Sequence, residues 1–399
     1  MKIQPSSKRL LTVPASPIRK LVPFAIEAEK KGVKILYFNI GDPDIKTPEI
    51  MINVLKNWNQ NPIPYSRSNG DPLLLKSLES YYKSIEGSHI KKENIVVTVG
   101  GSEAISMALF SVAEAGDEVI VFEPFYTNYN SYAAVNGVKL VPVLTKGESG
   151  FHLPKREEIE KKITKKTRAI LICNPNNPTG TVYSKKEVEM LVDISVKNKL
   201  FLISDEVYRE FVYEGKQYSI IPYMKKFPDR MILLDSLSKR YSLCGVRLGT
   251  IASLNKSVID GVIRIAQGRL SAGYIDQKLA EKLDKVEKGY FEKNRQEYRE
   301  RRDVLYNGLK NIPGVFLKKP EGAFYVIVKI PVKNSEDFCK WLLTDFRLRN
   351  TTAFFAPAEG FYGTAGLGKD EIRIAYVLNK KLMQKAVEIL RQALIKYKG

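Results

Sequence analysis

Met231-Ile232-Leu233-Leu234-Asp235-Ser236-Leu237-Ser238-Lys239 passes from four apolar residues into small polar ones and ends on a lysine. A short apolar run bounded by turn-forming residues reads as a strand buried on both faces, as in a parallel sheet. Lys239 then stands where a strand gives way to a loop, at the edge where open α/β sheets bind ligands. Two more polar clusters follow short apolar runs in the same way. Asn174-Pro175-Asn176-Asn177-Pro178-Thr179-Gly180 comes after Ala169-Ile170-Leu171-Ile172, and Ser204-Asp205-Glu206-Val207-Tyr208 comes after Leu200-Phe201-Leu202-Ile203. Three polar clusters are therefore expected to converge on one rim.

Working outward, further strands are expected at 95–99, 118–122, 139–143 and 249–253, separated by helical stretches between about residues 51 and 288. Such alternation predicts an α/β fold with a mostly parallel sheet flanked by helices. Ser184-Lys185-Lys186-Glu187 has the pattern of a capping box and marks one helix start. A long charged helix is expected over 286–309. Beyond it, strands at 322–328 and 372–376 and helices near 335–346 and 380–397 predict a smaller α+β unit.

At 399 residues and 44% hydrophobic content, the chain can bury a large core, and two domains are expected. Cys173, Cys244 and Cys339 are too few and too scattered for a disulfide framework or zinc site, and His89 and His152 are the only histidines. No metal is expected. Residues 1–10 lack a signal peptide's apolar stretch, and no apolar run approaches the ~20 residues of a membrane span. A soluble cytoplasmic protein with no membrane partner is the expectation. The formal net charge of +20 raises nucleic acid as a partner. Yet the basic residues are spread along helical stretches with Glu or Asp close by, the pattern of a solvated face, so no nucleic acid is expected.

Several residues carry chemistry on their own terms. Asp205 follows four apolar residues, so its carboxylate is expected in a low-dielectric site where it needs a cation. Gly100-Gly101-Ser102-Glu103 follows a strand and opens a helix, whose N–H groups and dipole form an anion site. Ser236, Ser238 and Arg247 are expected to close on the same anion. Arg373, in Ile372-Arg373-Ile374, is a charge between apolar neighbours on a strand and needs an anionic partner. Guanidinium binds a carboxylate through two parallel hydrogen bonds. The bland readings are a surface lysine, a helix-capping aspartate, a turn at the glycines and an arginine on an edge strand.

With these motifs in order, the chain resembles the class I and II aminotransferases, pyridoxal-phosphate enzymes of the aspartate aminotransferase fold. The resemblance runs from Asn39-Ile40-Gly41-Asp42-Pro43-Asp44 to Glu371-Ile372-Arg373-Ile374. It implies that Lys239 condenses with the aldehyde of pyridoxal 5′-phosphate and, displaced by an amino acid, moves the Cα proton to the cofactor. It implies that Asp205 pairs with the pyridine nitrogen, that Tyr208 and Asn177 bond the phenolate oxygen, and that Tyr126 stacks on the ring, with Phe125 as a rival one residue away. The phosphate would fall to Gly101, Ser102, Glu103, Ser236, Ser238 and Arg247. Arg373 would grip the α-carboxylate, assisted by Asn177 and the backbone at Gly41. Tyr65 would reach the phosphate of a neighbouring subunit, which implies a homodimer with shared active sites. The small domain would be discontinuous, with an N-terminal segment at 1–50, the large domain at 51–288, and the linking helix and C-terminal part at 289–399.

The implied reaction is transamination between an L-amino acid and a 2-oxo acid, with aspartate and 2-oxoglutarate first and aromatic amino acids or alanine next. Arg264 and Arg269 are candidates for the second arginine that, in aspartate-type members, reaches in from the partner subunit to read a distal carboxylate. The loop Ala356-Pro357-Ala358-Glu359-Gly360-Phe361 stands where the family has a Pro-Gly loop. Two other readings stay open: a carbon-sulfur β-lyase on the same scaffold, and a non-catalytic basic binding protein.

Overall fold

The computed structural model describes residues 6–398; residues 1–5 of the N-terminal segment, and Gly399, lie outside the described residues. The first strands in chain order are β1 (Lys34–Tyr37), β2 (Ile95–Val99), β3 (Glu118–Glu123), β4 (Lys139–Leu144), β5 (Thr167–Cys173) and β6 (Phe201–Asp205). They are followed by β7 (Met231–Ser236), β8 (Leu248–Ala252), β9 (Tyr325–Lys329), β10 (Thr351–Phe354), β11 (Ala356–Pro357) and β12 (Glu371–Ala375).

Seven strands form the central sheet in the order β2-β8-β7-β6-β5-β3-β4. β8 runs antiparallel to both neighbours, and the other pairings are parallel. Apolar residues continue along these strands because both faces are covered. Ile170 and Ile172 on β5, Leu202 on β6 and Leu233 on β7 enter one core cluster. Ala169, Leu171, Ile203, Ile232 and Leu234, one residue out of step, enter the cluster on the opposite face. The polar residues that end β6 and β7, Asp205 and Ser236, and those that follow β5 come to one edge of the sheet.

The capping box forms as expected: Ser184 Oγ accepts from the Glu187 N–H at 3.3 Å, and Glu187 Oε2 accepts from the Ser184 N–H at 2.7 Å. A second unit holds the antiparallel sheet β11-β12-β9 and the parallel pair β1-β10. Its core joins Leu21–Phe38 residues to residues from Tyr298 to Ala393, so the two ends of the chain share one interior. Helix Lys288–Leu309 connects the units, since Tyr290 and Phe291 pack on the large core while Leu305 and Leu309 enter the small one. Helix Glu49–Lys56 buries Met51 in the large core, so we propose that the division falls just before Glu49.

Candidate active site

A cleft of about 480 Å³ opens at the carboxyl edge of β5, β6 and β7. Its floor begins where β7 ends. Ser236 caps the single-turn helix Leu237–Arg240 by accepting the Ser238 N–H at 3.2 Å. Its hydroxyl also lies 3.0 Å from Ser238 Oγ and 3.0 Å from the Leu248 carbonyl oxygen. That turn projects Lys239, whose amine donates to the Gly41 carbonyl at 2.7 Å and stands 3.4 Å from Cys244 Sγ.

Gly101 and Ser102 line the same wall at the start of helix Gly100–Val112. Gly249 makes this approach possible, because a Cβ there would stand 2.4 Å from the Gly100 carbonyl carbon. Arg247 closes the group from a left-handed backbone, φ 53°, a costly conformation for a side-chain-bearing residue. It donates to the Cys244 carbonyl at 2.8 Å. Two serine hydroxyls, a guanidinium and a helix N-terminus thus face one volume, a donor set suited to a phosphate.

Asp205 ends β6 at 7% exposure. Its Oδ2 accepts from Tyr129 Oη at 2.9 Å, and Oδ1 from the Val207 N–H at 3.4 Å. The neighbouring carboxylates both have arginines: Glu206 with Arg209 at 2.7 Å, and Asp235 with Arg240 at 2.8 Å. Asp205 has no ion-pair partner among the described residues. Burial is the main cause that pushes its carboxyl up to about 7, with the charges of Asp235 and Glu206 adding to the effect.

Arg373 presents the complementary case. It sits on β12, the middle strand of its sheet, paired to Ile327 and Ala356, and is 2% exposed. The edge-strand reading is therefore wrong. Its guanidinium donates to Asn177 Oδ1 at 3.0 Å and to the Asn39 carbonyl, and lies 4.6 and 4.8 Å from the rings of Tyr325 and Phe361. Nε has no partner, and no carboxylate pairs with it among the described residues. Burial pulls this guanidinium below the ordinary arginine range. Asn177 Nδ2 reaches Tyr208 Oη at 3.5 Å, and Tyr208 Oη lies 3.0 Å from Tyr325 Oη. Burial drives the Tyr208 phenol well up, so it is a hydrogen-bond donor rather than a phenolate at neutral pH.

Gly41, Gly101, Ser102, Tyr126, Asn177, Asp205, Tyr208, Ser236, Ser238, Lys239, Arg247 and Arg373 all line the cleft. Tyr126 rather than Phe125 faces it; Phe125 is 2% exposed and packs in the core. Glu103 is a correction. Its carboxylate turns back to the Val99 N–H at 2.7 Å and to Arg269 at 2.8 Å, so its side chain does not join the anion site. The same pair removes Arg269 as a reader of a distal carboxylate, since its guanidinium also donates to the Val97 carbonyl at 2.6 Å. Arg264 is exposed on helix Lys256–Gly268, outside the cleft lining. Tyr65 lies outside this chain's cleft and is 79% exposed. Sequence reasoning missed Tyr129, Tyr325 and the segment Ser16-Pro17-Ile18-Arg19. Tyr129 was findable, because it lies one helical turn beyond Tyr126.

Fold and cleft define an enzyme whose site pairs a lysine amine with a carboxylate lacking a cation and an arginine lacking an anion. The chain belongs to the class I and II aminotransferases, whose family model, described as "Aminotransferase class I and II", matches residues 33–390. It is similar to an aspartate aminotransferase of Pyrococcus horikoshii, 32% identical over 401 residues that cover 97% of each chain. An aromatic-amino-acid aminotransferase of Thermococcus litoralis is also 32% identical, covering 97% of this chain and 98% of that one. A solved alanine aminotransferase from Pyrococcus furiosus superposes with a TM-score of 0.89 at 32% identity, covering 98% of this chain and all of that one. The chain is thus an enzyme that transfers amino groups, not a non-catalytic binder, and elimination is not the favoured chemistry.

Proposed function

We propose that this aminotransferase uses pyridoxal 5′-phosphate to move an amino group between an L-amino acid and a 2-oxo acid, with aspartate and 2-oxoglutarate as its first substrates and aromatic amino acids or alanine next. The observation that carries the reading is the unmatched pair of buried charges, Asp205 and Arg373, in one cleft with Lys239. A ring with a protonated nitrogen answers Asp205, and an amino acid's α-carboxylate answers Arg373. The hydroxyls of Ser236 and Ser238, the Arg247 guanidinium and the helix start at Gly101 and Ser102 fit the cofactor's phosphate.

When bound, the cofactor supplies an aldehyde carbon that takes up the amino group and a ring that accepts electrons from the substrate's Cα. Tyr208 and Asn177 would donate hydrogen bonds to the ring's phenolic oxygen, and Tyr126 would stack on the ring. Lys239 removes and returns the Cα proton, while Arg373 and Asn177 hold the carboxylate so that the Cα–H bond, rather than the bond to the carboxylate, is the one exposed to cleavage. Arg373→Lys should raise KM for every amino donor by about tenfold or more, since an ammonium cannot reproduce two parallel hydrogen bonds. Steady-state kinetics with acidic and neutral donors checks this, and an unchanged KM would remove Arg373 from the carboxylate site.

A homodimer that shares its active sites is part of the same reading. Leu73, Val99 and Leu270 are exposed at 53%, 40% and 53%, and Tyr65 at 79%. Val99 and Leu270 flank the Glu103–Arg269 pair, an apolar surface of the kind subunits cover. Tyr65→Ala and Lys239→Ala, each inactive alone, should recover activity when unfolded together and refolded, because one site of each mixed dimer inherits neither defect. Proven heterodimers without activity would count against the shared site. A cytoplasmic setting is part of the same proposal; among the described residues no helix is long and apolar enough to cross a membrane.

A further inference from the structure

His152 stands between two carboxylates that come from different units of the fold. Its Nδ1 lies 3.1 and 3.0 Å from the two carboxylate oxygens of Glu187, on the helix Lys185–Lys197 that follows the Asn177 loop. Its Nε2 lies 3.4 Å from Glu321 Oε1, on the segment that enters β9. A neutral imidazole has one N–H and can donate to only one of these partners, whereas an imidazolium donates to both. Among the described residues neither carboxylate has another cation. The bonds to Glu187 and then Glu321 outweigh burial and push the ring up from 6.5 to about 10. Burial opposes the matching effect on the carboxyls, yet the bond to His152 helps hold both below their ordinary range. Tyr183, the other titratable group facing Glu187, is a buried phenol that burial keeps protonated.

Both carboxylates are committed to backbone around the loop that carries Asn177. Glu321 Oε2 accepts the Val182 N–H at 3.0 Å, while the N–H groups of Glu321 and Gly322 both donate to the Gly180 carbonyl, at 2.9 and 2.8 Å. Gly180 is the point of closest approach, since a Cβ there would stand 2.6 Å from Pro320 Cβ and 2.7 Å from the Tyr325 carbonyl oxygen. Glu187 caps its helix at Ser184 and also accepts the Leu153 N–H at 2.8 Å. Past this junction each segment supplies a neighbour of Arg373: Asn177 Oδ1 at 3.0 Å from one, the Tyr325 ring at 4.6 Å from the other. His152 itself is outside the cleft lining, so it acts on the site only through these segments. A neutral side chain in its place leaves two like charges facing each other across the junction.

We propose that His152 is a positioning residue for transamination: by bridging Glu187 and Glu321 it clasps the two segments that carry Asn177 and Tyr325, and so fixes the surroundings of the Arg373 guanidinium. The inference rests on the reading of Arg373 and Asn177 as the carboxylate site.

Three measurements test it. With His89 and His152 the only histidines, the ring can be followed by NMR of the cofactor-loaded enzyme carrying isotope-labelled histidine. The signal that disappears in His152→Gln should stay protonated through about pH 8 in wild type, and its titration should fall by at least about one pH unit in Glu321→Gln. In steady-state kinetics, His152→Gln should raise KM for aspartate, alanine and phenylalanine alike, by about threefold or more, with kcat within about twofold, the signature of binding lost equally before and during reaction. His152→Arg keeps a cation able to meet both carboxylates at every pH and should restore KM. As pH rises through about 10, wild type should take on the KM of His152→Gln measured at the same pH, and His152→Arg should not. In the cofactor-free protein a ring raised in the folded state contributes stability that is complete below 6.5 and lost as pH rises through about 10. The gap in Tm between wild type and His152→Gln, about 3 °C or more at neutral pH, should therefore close over that window. A His152 ring that titrates near 6.5 in wild type would overturn the proposal, as would a His152→Gln enzyme that loses Tm but keeps its KM. Should His152→Gln fail to fold, Glu321→Gln, which retains an oxygen for the Val182 N–H, carries the same KM prediction. Failure of the transamination reading has its own signature, no reaction of wild type with any amino donor, and the ring titration and the gap in Tm then still decide the clasp.

Discussion

Lys239→Ala loses turnover by at least a factor of about a thousand and remains folded. The expected loss follows from placement, because Lys239 is the lysine in the lining of the cleft that holds Asp205 and Arg373, and proton transfer by a positioned base alone contributes ~10²–10⁴ in rate. The expected stability follows from how little else the side chain does. Its amine makes one close hydrogen bond, to the Gly41 carbonyl, with a longer contact to Cys244. Removing a bond of that kind costs on the order of 1 kcal/mol, a shift of a few degrees in Tm. The phosphate donors, Ser236, Ser238, Arg247 and the helix start, are untouched, so the variant should still retain cofactor through dialysis, held without a covalent link. Borohydride reduction of the wild type followed by peptide mapping should put the cofactor on Lys239. A label on another lysine would falsify the assignment at the centre of the site.

Asp205→Asn should slow turnover by at least about a hundredfold with modest change in KM. Asn keeps the shape and can still accept from Tyr129, but it removes the buried charge that answers a cationic ring nitrogen. The loss of a charge-assisted bond in a dry site is worth ~2 kcal/mol or more, and each ~1.4 kcal/mol is a factor of ten. The same substitution has an opposite effect on the cofactor-free protein. Desolvation raises the Asp205 carboxyl from 3.8 to about 7. Between those values the native state holds a proton that the unfolded chain has released, so this group's contribution to stability falls as pH rises through the window. Over about 3 pH units the loss reaches on the order of 4 kcal/mol. Cofactor-free Asp205→Asn should therefore gain on cofactor-free wild type as pH rises from 5 to 8, and loading the cofactor should reverse the order. Denaturation at several pH values measures this directly. A difference that stays flat with pH would mean that Asp205 already has a cationic partner, and near-normal turnover would remove it from the ring nitrogen.

The seven strands of the central sheet were legible because each is a local apolar run, whereas β1, β10 and β11 of the smaller unit were not read. Their polar ends were legible as a rim because successive parallel strands terminate at the same edge. Lys239, Asp205 and the Asn177 loop could be placed together without coordinates for that reason. Arg373 could be singled out because a charge between two isoleucines is costly unless it is matched.

What the chain's local pattern could not decide is who meets whom across long separations. Glu103 and Arg269 are 166 residues apart, and their pairing turned one expected phosphate ligand and one expected specificity residue into a single structural bridge. Arg373 could have stood on an edge strand until β9 and β11 closed on both sides of β12 and buried it. Arg19 lies in a segment without a motif, and only the contact of Pro17 and Ile18 with the 356–361 loop brings it to the cleft. Hydrophobic periodicity and strand-end chemistry are properties of a few consecutive residues, so sequence determined the sheet and its reactive edge. The partner of a long, charged side chain depends on which distant surfaces pack together, and that was decided by the tertiary structure.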